Sequence, residues 1–331
     1  MIRSERNLRE PAGLMRPMRG SRVIAGILRV CLVFVAMSAL VGLLGVAPVA
    51  ADSRGRSAGL VLSYPVGARA LAMGSAYTAS VGDLSGMHQN PAALGFLDTW
   101  GVSAFYQRRI AGDNFGGIAF NSGAGPGVVG VSLLYYSAGD AELTGSGTSS
   151  ETRTVEALKD YVLGVSYAAG PVKDLELGMT LKVLRSTLVE EFTASSVSLD
   201  LGLQYRAAGG KLHVGAAVRH LGTGLMYDDW EDHIPRTFGA GVVYIAEVAG
   251  GPLTLAGDLV KVQDLDPRGH AGFEYVIERV LAVRLGYRFG YDTSDFTFGL
   301  GATLGGFEIG YSVGVMEEFD DVHMTQLTYR F

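Results

Sequence analysis

The feature that most constrains this chain is an alternation of apolar and polar residues, which recurs from position 100 to the C-terminus. In a β-strand successive side chains point to opposite faces, so every second residue shares a face. In the last stretch the apolar residues are Leu327, Tyr329 and Phe331, and the residues between them are polar. One apolar face and one polar face suit a wall between lipid and a wet lumen.

Many of these alternating runs are long. They approach the ~9–11 residues that a tilted membrane strand needs, whereas strands of soluble sandwiches commonly have about 5–6. The sequence therefore predicts an all-β fold, a transmembrane antiparallel β-barrel of about 14 strands, an even number as in bacterial barrels. The predicted strand centres are Ala104, Ile118, Leu133, Val165, Met179, Leu201, Ala216, Val242, Leu255, Phe273, Val283, Phe298, Ile309 and Leu327.

The connections between these runs carry their own signals. Glycine-rich stretches predict turns at positions 169–171, 209–210, 250–252 and 305–306. Two connections, residues 137–160 and 222–235, are much longer. In barrels of this class the long loops face the outside of the cell.

Composition agrees with a barrel. Mean hydropathy is +0.25 and 47 of 331 residues are glycine, although no segment after residue 51 offers the ~18 uninterrupted apolar residues of a spanning helix. The chain has 27 basic and 33 acidic residues. Seven of the basic and two of the acidic residues precede residue 52, so the remainder carries a net charge of −11. That charge argues against nucleic acid as a partner.

The first 51 residues are predicted to be a cleaved signal peptide. Seven arginines precede a charge-free run over residues 30–51, and Val49 and Ala51 supply the small residues of a cleavage site before Asp52. A retained transmembrane anchor is the rival interpretation, because the apolar run is long enough to span. Pro48 favours cleavage. The only cysteine, Cys31, lies in this segment, so the cleaved chain has no thiol chemistry.

Residues 52–97 do not alternate, and they are too many for a linker. They are predicted to form a small helical hatch that plugs the lumen, between the signal peptide at 1–51 and the barrel at 98–331. Its last piece predicts one short helix, with Asn90 as the N-cap, Pro91 at the first helical position and Gly95 at the end.

The hatch region also carries a sequence motif, which consists of Gly67, Ala68, Arg69, Met73, Gly74, Asp83, Asn90, Pro91 and Ala92. The motif resembles the N-terminal segment of the PorV/PorQ-like outer-membrane proteins, relatives of the FadL-type long-chain fatty-acid transporters. The resemblance extends through the barrel and implies an outer-membrane location. This chain departs from the family at Met87-His88-Gln89, where an aromatic residue usually precedes Asn-Pro. The departure bears on how the hatch packs or contacts a ligand.

The resemblance implies two alternative functions. The first is handling or transport of hydrophobic small molecules through the plugged lumen. The alternative is an accessory barrel of type IX secretion that binds the C-terminal domains of exported proteins. The other expected partners are outer-membrane lipid and the barrel-assembly machinery, whose terminal recognition signal Leu327, Tyr329 and Phe331 resemble. No cofactor is expected.

No enzymatic activity is predicted. Residues 310–314 match the Gly-x-Ser-x-Gly nucleophile elbow, but that elbow needs a strand that turns sharply into a helix, and these residues lie inside uninterrupted alternation. The histidines show no metal-ligand spacing. Acidic clusters at 228–232 and 317–321 are interpreted as solvated loop charge rather than as calcium sites.

Charges of both signs lie on the polar strand faces. Mixed signs favour ion pairs that brace the lumen around a plug over a charged constriction that selects solutes. The residues concerned are Glu176, Lys182, Asp200, Arg206, Arg219, Asp258, Glu274, Arg284, Arg288 and Glu308.

Overall fold

The computed structural model of the chain describes residues 58–108, 112–144, 152–228, 230–291, 296–316 and 321–331. The predicted signal peptide, with Cys31 and the cleavage site before Asp52, lies outside these ranges. Among the described residues, no helix is both long enough and apolar enough to cross a membrane.

Fourteen antiparallel strands close into a barrel, which confirms the predicted fold class. Each predicted strand centre falls inside a different strand of the barrel. The strands are β1 (Gly101–Arg108), β2 (Asn114–Ala124), β3 (Gly127–Ser137), β6 (Leu158–Val172), β7 (Leu175–Leu188), β8 (Phe192–Ala207), β9 (Leu212–Gly222), β12 (Thr237–Val248), β13 (Gly251–Val262), β14 (Arg268–Ile277), β15 (Leu281–Phe289), β16 (Phe296–Leu304), β17 (Phe307–Gly314) and β18 (Val322–Arg330).

The first and last strands pair with each other and close the barrel. β1 pairs with β18 from Gly101 opposite Arg330 to Arg108 opposite His323. Four further strands form two small hairpins in the long connections. They are β4 (Asp140–Thr144) with β5 (Thr152–Glu156), and β10 (Leu225–Tyr227) with β11 (Trp230–Asp232).

The two ends of the barrel differ. At one end, here the short-turn end, strands are joined by connections of two to four residues, such as 125–126, 173–174 and 305–306. The hairpins β4–β5 and β10–β11 both lie at the opposite end, here the long-loop end. One predicted turn position is wrong. The β6–β7 turn lies at 173–174 rather than at 169–171, because β6 continues through an irregular pairing between Ala169 and Val172.

Strand faces have the polarity expected of a wall between lipid and a lumen. On β7, the outward side chains of Leu177, Met179 and Leu181 are about half exposed. The inward side chains of Thr180 and Lys182, between them, are almost fully buried. The apolar face predicted from the sequence is therefore the outer face of the barrel.

The N-terminal segment, defined here as residues 58–97, lies inside the barrel as a chain of short helical turns. They are Leu60–Ser63, α1 (Ala68–Ala72), Leu84–His88 and Pro91–Phe96, and one further turn, Ala208–Gly210, joins β8 to β9. Asn90 caps the turn at Pro91 as predicted, by accepting a hydrogen bond from the Ala92 N–H. The turn runs one residue beyond Gly95, because the Leu97 N–H still bonds to the Leu94 carbonyl.

Candidate functional site

The N-terminal segment is hydrogen-bonded to inward-facing polar side chains of several strands, among them β8 and β13. The Asp258 carboxylate of β13 accepts hydrogen bonds from the backbone N–H groups of Tyr77 and Thr78 at 2.8 and 2.7 Å. On β8, the Gln204 amide donates to the Ala79 and Ser80 carbonyls. Buried backbone groups need such partners, and here the barrel wall supplies them.

β16 and β18 make similar contacts near α1. The Thr297 hydroxyl of β16 accepts from the Gly74 N–H and donates to the Ala72 carbonyl, both at 3.1 Å. The Gln326 side chain of β18 accepts from the Ala68 N–H at 2.7 Å. Strands on different sides of the lumen therefore hold one and the same segment.

Glycines of the inner wall let the segment approach the strands closely. A Cβ atom on Gly202 of β8 would lie 2.0 Å from the Asn90 side-chain oxygen, and one on Gly286 of β15 would lie 2.0 Å from the Gly74 nitrogen. Real Cβ atoms never come so near. Part of the chain's high glycine content thus serves to seat the segment.

Motif residues that the sequence singled out make some of these contacts with the wall. Asn90 caps its own turn, and its amide donates to the Thr78 carbonyl at 2.8 Å and to the Leu203 carbonyl at 3.0 Å. Pro91 follows it and packs against Gly178 and Gly202. The fully buried Asn90 therefore joins two parts of the segment to β8.

Asp83 acts within the N-terminal segment. Asp83 caps the turn Leu84–His88 and accepts a hydrogen bond from the Tyr77 hydroxyl. Burial raises the pKa of Tyr77 well above its usual range, so that hydroxyl stays a donor.

Gly67 adopts φ +96°, a conformation that favours glycine, and it lies against Ser85 and Gln326. Met73, 2% exposed, packs against Gly272 of β14.

A chain of ion pairs, here the ion ladder, runs along the wall at the short-turn end. Arg69 donates to both carboxylate oxygens of Glu274 at 2.6 and 2.8 Å. Arg284 binds Glu274 at 2.6 Å and Glu308 at 3.3 Å, and Arg330 binds Glu308 at 2.8 Å.

The arginine at each end of the ion ladder also donates a hydrogen bond to a backbone carbonyl of the N-terminal segment. Arg69 donates to the Val81 carbonyl and Arg330 to the Gly82 carbonyl, each at 2.9 Å. Elsewhere on the inner wall, Lys182 pairs with Asp200 at 2.6 Å. These pairs agree with the prediction that the mixed charges brace the lumen.

The unusual stretch Met87-His88-Gln89 is buried rather than presented to a ligand. Met87 packs with Leu84, Leu94 and two alanines of the wall. Burial, together with the charge of Lys182, lowers the pKa of His88 to about 3, so its ring is neutral at physiological pH. Met87 fills its part of the lumen with flexible apolar volume, as methionine does in irregular cores.

Near the long-loop end the inner wall changes character. Apolar side chains from β1–β3, β6–β8 and the 223–236 connection point inward and enclose the first residues of the N-terminal segment. This group, here the outer cluster, comprises Val61, Leu62, Val66, Phe115, Leu134, Tyr136, Val162, Leu184, Ala194, Leu225 and Ile234, with Ala58, Tyr64, Phe105, Ala138, Leu158 and Tyr227 packed against it.

Aromatic rings form one side of the outer cluster. The Tyr64 ring lies 5.7 Å from that of Phe115 and 5.4 Å from that of Tyr136, and Phe105 meets Phe115 edge-on at 5.0 Å. Tilted and edge-to-face contacts at these distances are favourable. An apolar, aromatic lining with few polar groups is the usual chemistry of small-molecule sites.

Sequence reasoning missed the outer cluster because it treated every inner face as polar. A signal was present in β3, where Leu133-Leu134-Tyr135-Tyr136 is apolar at four successive positions. Leu134 and Tyr136 are buried on the inner face while Leu133 is exposed. A run that is apolar on both faces marks the place where the lumen itself is apolar.

The proposed assembly signal lies at the short-turn end, on the outer face. Phe331 stacks on Trp100 with ring centroids 4.2 Å apart and also meets Tyr329 edge-on. Leu327 is 49% exposed on the same face. Trp100 and Phe331 border an open cavity of about 660 Å³ where the N-terminal segment leaves the lumen.

Among the described residues, no group of three or more histidine, cysteine or acidic side chains is arranged to hold a metal ion. Asp229 and the stretch 317–320, which belong to the two acidic clusters of the sequence, lie outside those residues. Residues 310–314 lie within β17 rather than at a sharp strand-to-helix turn, so they lack the geometry of a nucleophile elbow.

The fold and its interior define a class, the closed transmembrane β-barrel whose lumen is filled by its own N-terminal segment. No protein-family model and no curated protein matches the sequence. Solved structures share the fold.

The monoaromatic hydrocarbon channel CymD has a TM-score of 0.61 at 14% identity, over 80% of this chain and 97% of that one. The P. putida toluene transporter TodX has a TM-score of 0.55 at 12% identity, over 80% of this chain and 98% of that one. A Pseudomonas aeruginosa FadL homologue has a TM-score of 0.52 at 10% identity over the same shares. The FadL-type side of the resemblance is thus confirmed at the level of fold, and the PorV/PorQ side stays a prediction.

Proposed function

We propose that this protein is a non-enzymatic outer-membrane channel for small hydrophobic molecules, with residues 52–97 as its hatch. The outer cluster is the observation that carries the proposal. A pore for hydrophilic solutes has no need of an apolar, aromatic patch on its inner wall. A site that receives hydrophobic molecules requires one, because burial of apolar surface drives their binding.

The names of the similar barrels support the same substrate class. CymD is named as a monoaromatic hydrocarbon channel and TodX as a toluene transporter. The alternative role in type IX secretion, with binding of exported C-terminal domains, has no comparable support, and we do not propose it.

The ends of the barrel suggest the direction of entry. In outer-membrane barrels, turns are short on the periplasmic side and loops are longer outside the cell. The outer cluster lies at the long-loop end, where a molecule would arrive from outside. The ion ladder lies at the short-turn end and would hold the hatch there while the outer part of the segment moves.

The proposed topology also needs export through the inner membrane. We propose that signal peptidase removes residues 1–51 and that the mature chain begins at Asp52, before the hatch. The intact mass of the membrane-extracted protein tests this, because a retained N-terminal helix would show the anchor interpretation to be right.

Uptake of a labelled hydrocarbon by intact bacteria tests the channel function. Expression of the protein should accelerate toluene uptake across a lipopolysaccharide-covered outer membrane, and a matched sucrose-uptake assay should show no acceleration. Equal rates of toluene uptake with and without the assembled protein would contradict the proposal.

A further inference from the structure

An arginine marks the outer edge of the lipid-facing band on β7. Positions 175–183 of this strand match the ~9–11 residues that a tilted strand needs to cross the hydrocarbon layer. The last apolar side chain on the outer face is Val183, 42% exposed, and the next outward residue toward the long-loop end is Arg185, which is also exposed. Leu184 and Ser186 on either side of it are buried on the inner face. Arg185 therefore lies outside the barrel, at the level where the headgroups of the outer leaflet begin.

Hydroxyl groups flank Arg185 on both neighbouring strands. Tyr161 of β6 pairs with it on one side and Ser195 of β8 on the other. Side chains directly opposite each other on antiparallel strands have Cβ atoms about 4.5–5.5 Å apart, so both hydroxyl groups are within reach of a ligand held by the guanidinium. The Tyr161 ring, 43% exposed, packs against Tyr135 with ring centroids 5.2 Å apart, which restrains its position.

Among the residues that the structure describes, no carboxylate forms an ion pair with Arg185. The acidic residues at the end of β5 and in the β7–β8 turn have other partners, which are Lys159 for Glu156, Arg153 for Glu191 and the Glu156 N–H for Glu190. A guanidinium that faces lipid headgroups in this way has its planar fork of donors available. Such a fork matches the oxygens of a phosphate group, which it binds through two parallel hydrogen bonds.

We propose that Arg185, with the hydroxyl groups of Tyr161 and Ser195, binds a phosphate group of lipid A, the phosphorylated glycolipid of the outer leaflet. The proposal concerns the outer surface of the barrel and goes beyond the proposed channel function, with which it shares only the outer-membrane location. In this arrangement the guanidinium and the two hydroxyl groups donate to the phosphate oxygens. The acyl chains of the lipid lie along the apolar outer face below, on Leu181 and Val183.

The charge and the height of Arg185 favour lipid A over other anionic lipids. A phosphate monoester carries about 1.5 to 2 negative charges at neutral pH, whereas the phosphate diester of phosphatidylglycerol carries one. The monoester also presents more free oxygens to a bidentate donor and to neighbouring hydroxyl groups. In addition, Arg185 lies toward the long-loop end, which faces the outside of the cell in outer-membrane barrels. Lipid A occupies that leaflet.

Native mass spectrometry of the purified, delipidated barrel, titrated with lipid A, tests the proposal. Arg185→Gln should lower the affinity for lipid A about tenfold, because charge-assisted hydrogen bonds to the phosphate are lost. Arg185→Lys should lower it less, because the charge stays and only the fork is lost. Tyr161→Phe should lower it about threefold, because one neutral donor is removed. Lipid A without its phosphates should bind the intact protein and Arg185→Gln equally.

Arg279→Gln is the matched control, because Arg279 is an exposed arginine in the β14–β15 turn at the short-turn end, and its loss should leave the affinity for lipid A unchanged. Heat-modifiable gel migration shows that each variant is folded, and Arg185→Lys serves if Arg185→Gln does not assemble. Unchanged lipid A affinity in the folded Arg185 variants would overturn the proposal. An equal loss in Arg279→Gln, or an equal loss of affinity for phosphatidylglycerol in Arg185→Gln, would overturn it too, because binding would then follow general charge. Toluene uptake is measured separately, so the channel function stands or falls independently of these results.

Discussion

Glu274 joins the N-terminal segment to the barrel wall through an ion pair with Arg69. It is almost fully buried and accepts hydrogen bonds from two arginines, Arg69 of the hatch and Arg284 of β15. A buried ion pair adds little net stability over an apolar replacement, because both charges lose their hydration. Removal of one partner is costly, because a buried charge is left without compensation.

Glu274→Gln should therefore loosen the hatch more than Arg69→Met. The first change leaves Arg69 without a carboxylate and Arg284 with only the longer 3.3 Å contact to Glu308, and removal of one partner of a buried pair costs about 3–5 kcal/mol. The second change leaves Glu274 paired with Arg284. Leakage of a small hydrophilic solute from protein-containing vesicles measures the effect.

Glu191→Gln is the matched control for that comparison, because it breaks the Arg153–Glu191 pair, whose side chains are about 60% exposed. Exposed pairs contribute only about 0–1 kcal/mol. Leakage from Glu274→Gln vesicles equal to that of the control would show that the ion ladder does not hold the hatch.

At this scale, the sequence located the charges but not their partners. Alternation placed Glu274, Arg284 and Glu308 on the polar faces, and the structure has them there. The pairing of Arg69 with Glu274 joins residues 205 positions apart. It depends on where the hatch sits in the closed barrel, and no local pattern contains that information.

Among the elements, β18 has a double role. It closes the barrel by pairing with β1 and β17, and it carries Leu327 and Tyr329 of the proposed assembly signal, with Phe331 directly after its last residue. Phe331 and Phe307 are both half-exposed aromatic residues on the outer face at the short-turn end. They are therefore alike as membrane-interface anchors and differ in that only Phe331 ends the chain.

Phe331→Ser should stop assembly into the outer membrane of living cells, whereas Phe307→Ser should assemble. The expected reason is the recognition of Phe331 by the barrel-assembly machinery that the sequence predicts, since the interfacial burial lost is similar in both variants. Heat-modifiable migration of outer-membrane fractions is the measurement, and refolding of both variants into detergent should succeed. Normal assembly of Phe331→Ser in cells would remove Phe331 from the signal.

Element prediction succeeded where one physical rule dominates. A strand between lipid and a lumen must alternate, and all fourteen strands were found from alternation. The turn positions were predicted less accurately, because β6 continues through Gly170 and Pro171, where a turn was predicted, with an irregular pairing. The cap at Asn90 was correct because an N-cap depends on neighbouring residues only.

At the scale of the whole molecule, one barrel encloses two chemically different regions. Polar groups and the ion ladder hold the N-terminal segment toward the short-turn end, and the outer cluster surrounds its first residues at the long-loop end. The sequence predicted the barrel and its plug, but not this division. It arises only when strands distant in the sequence place their few inward apolar residues side by side.

The central claim is that the N-terminal segment closes the lumen, and the conductance of single barrels in planar bilayers tests it most directly. Deletion of residues 52–97 should give barrels that keep heat-modifiable migration and conduct far more than the intact protein. Asn90→Ala with Pro91→Gly should give a smaller rise, because loss of the cap costs only about 1 kcal/mol. A deletion variant that assembles normally yet conducts no more than the intact protein would contradict the account.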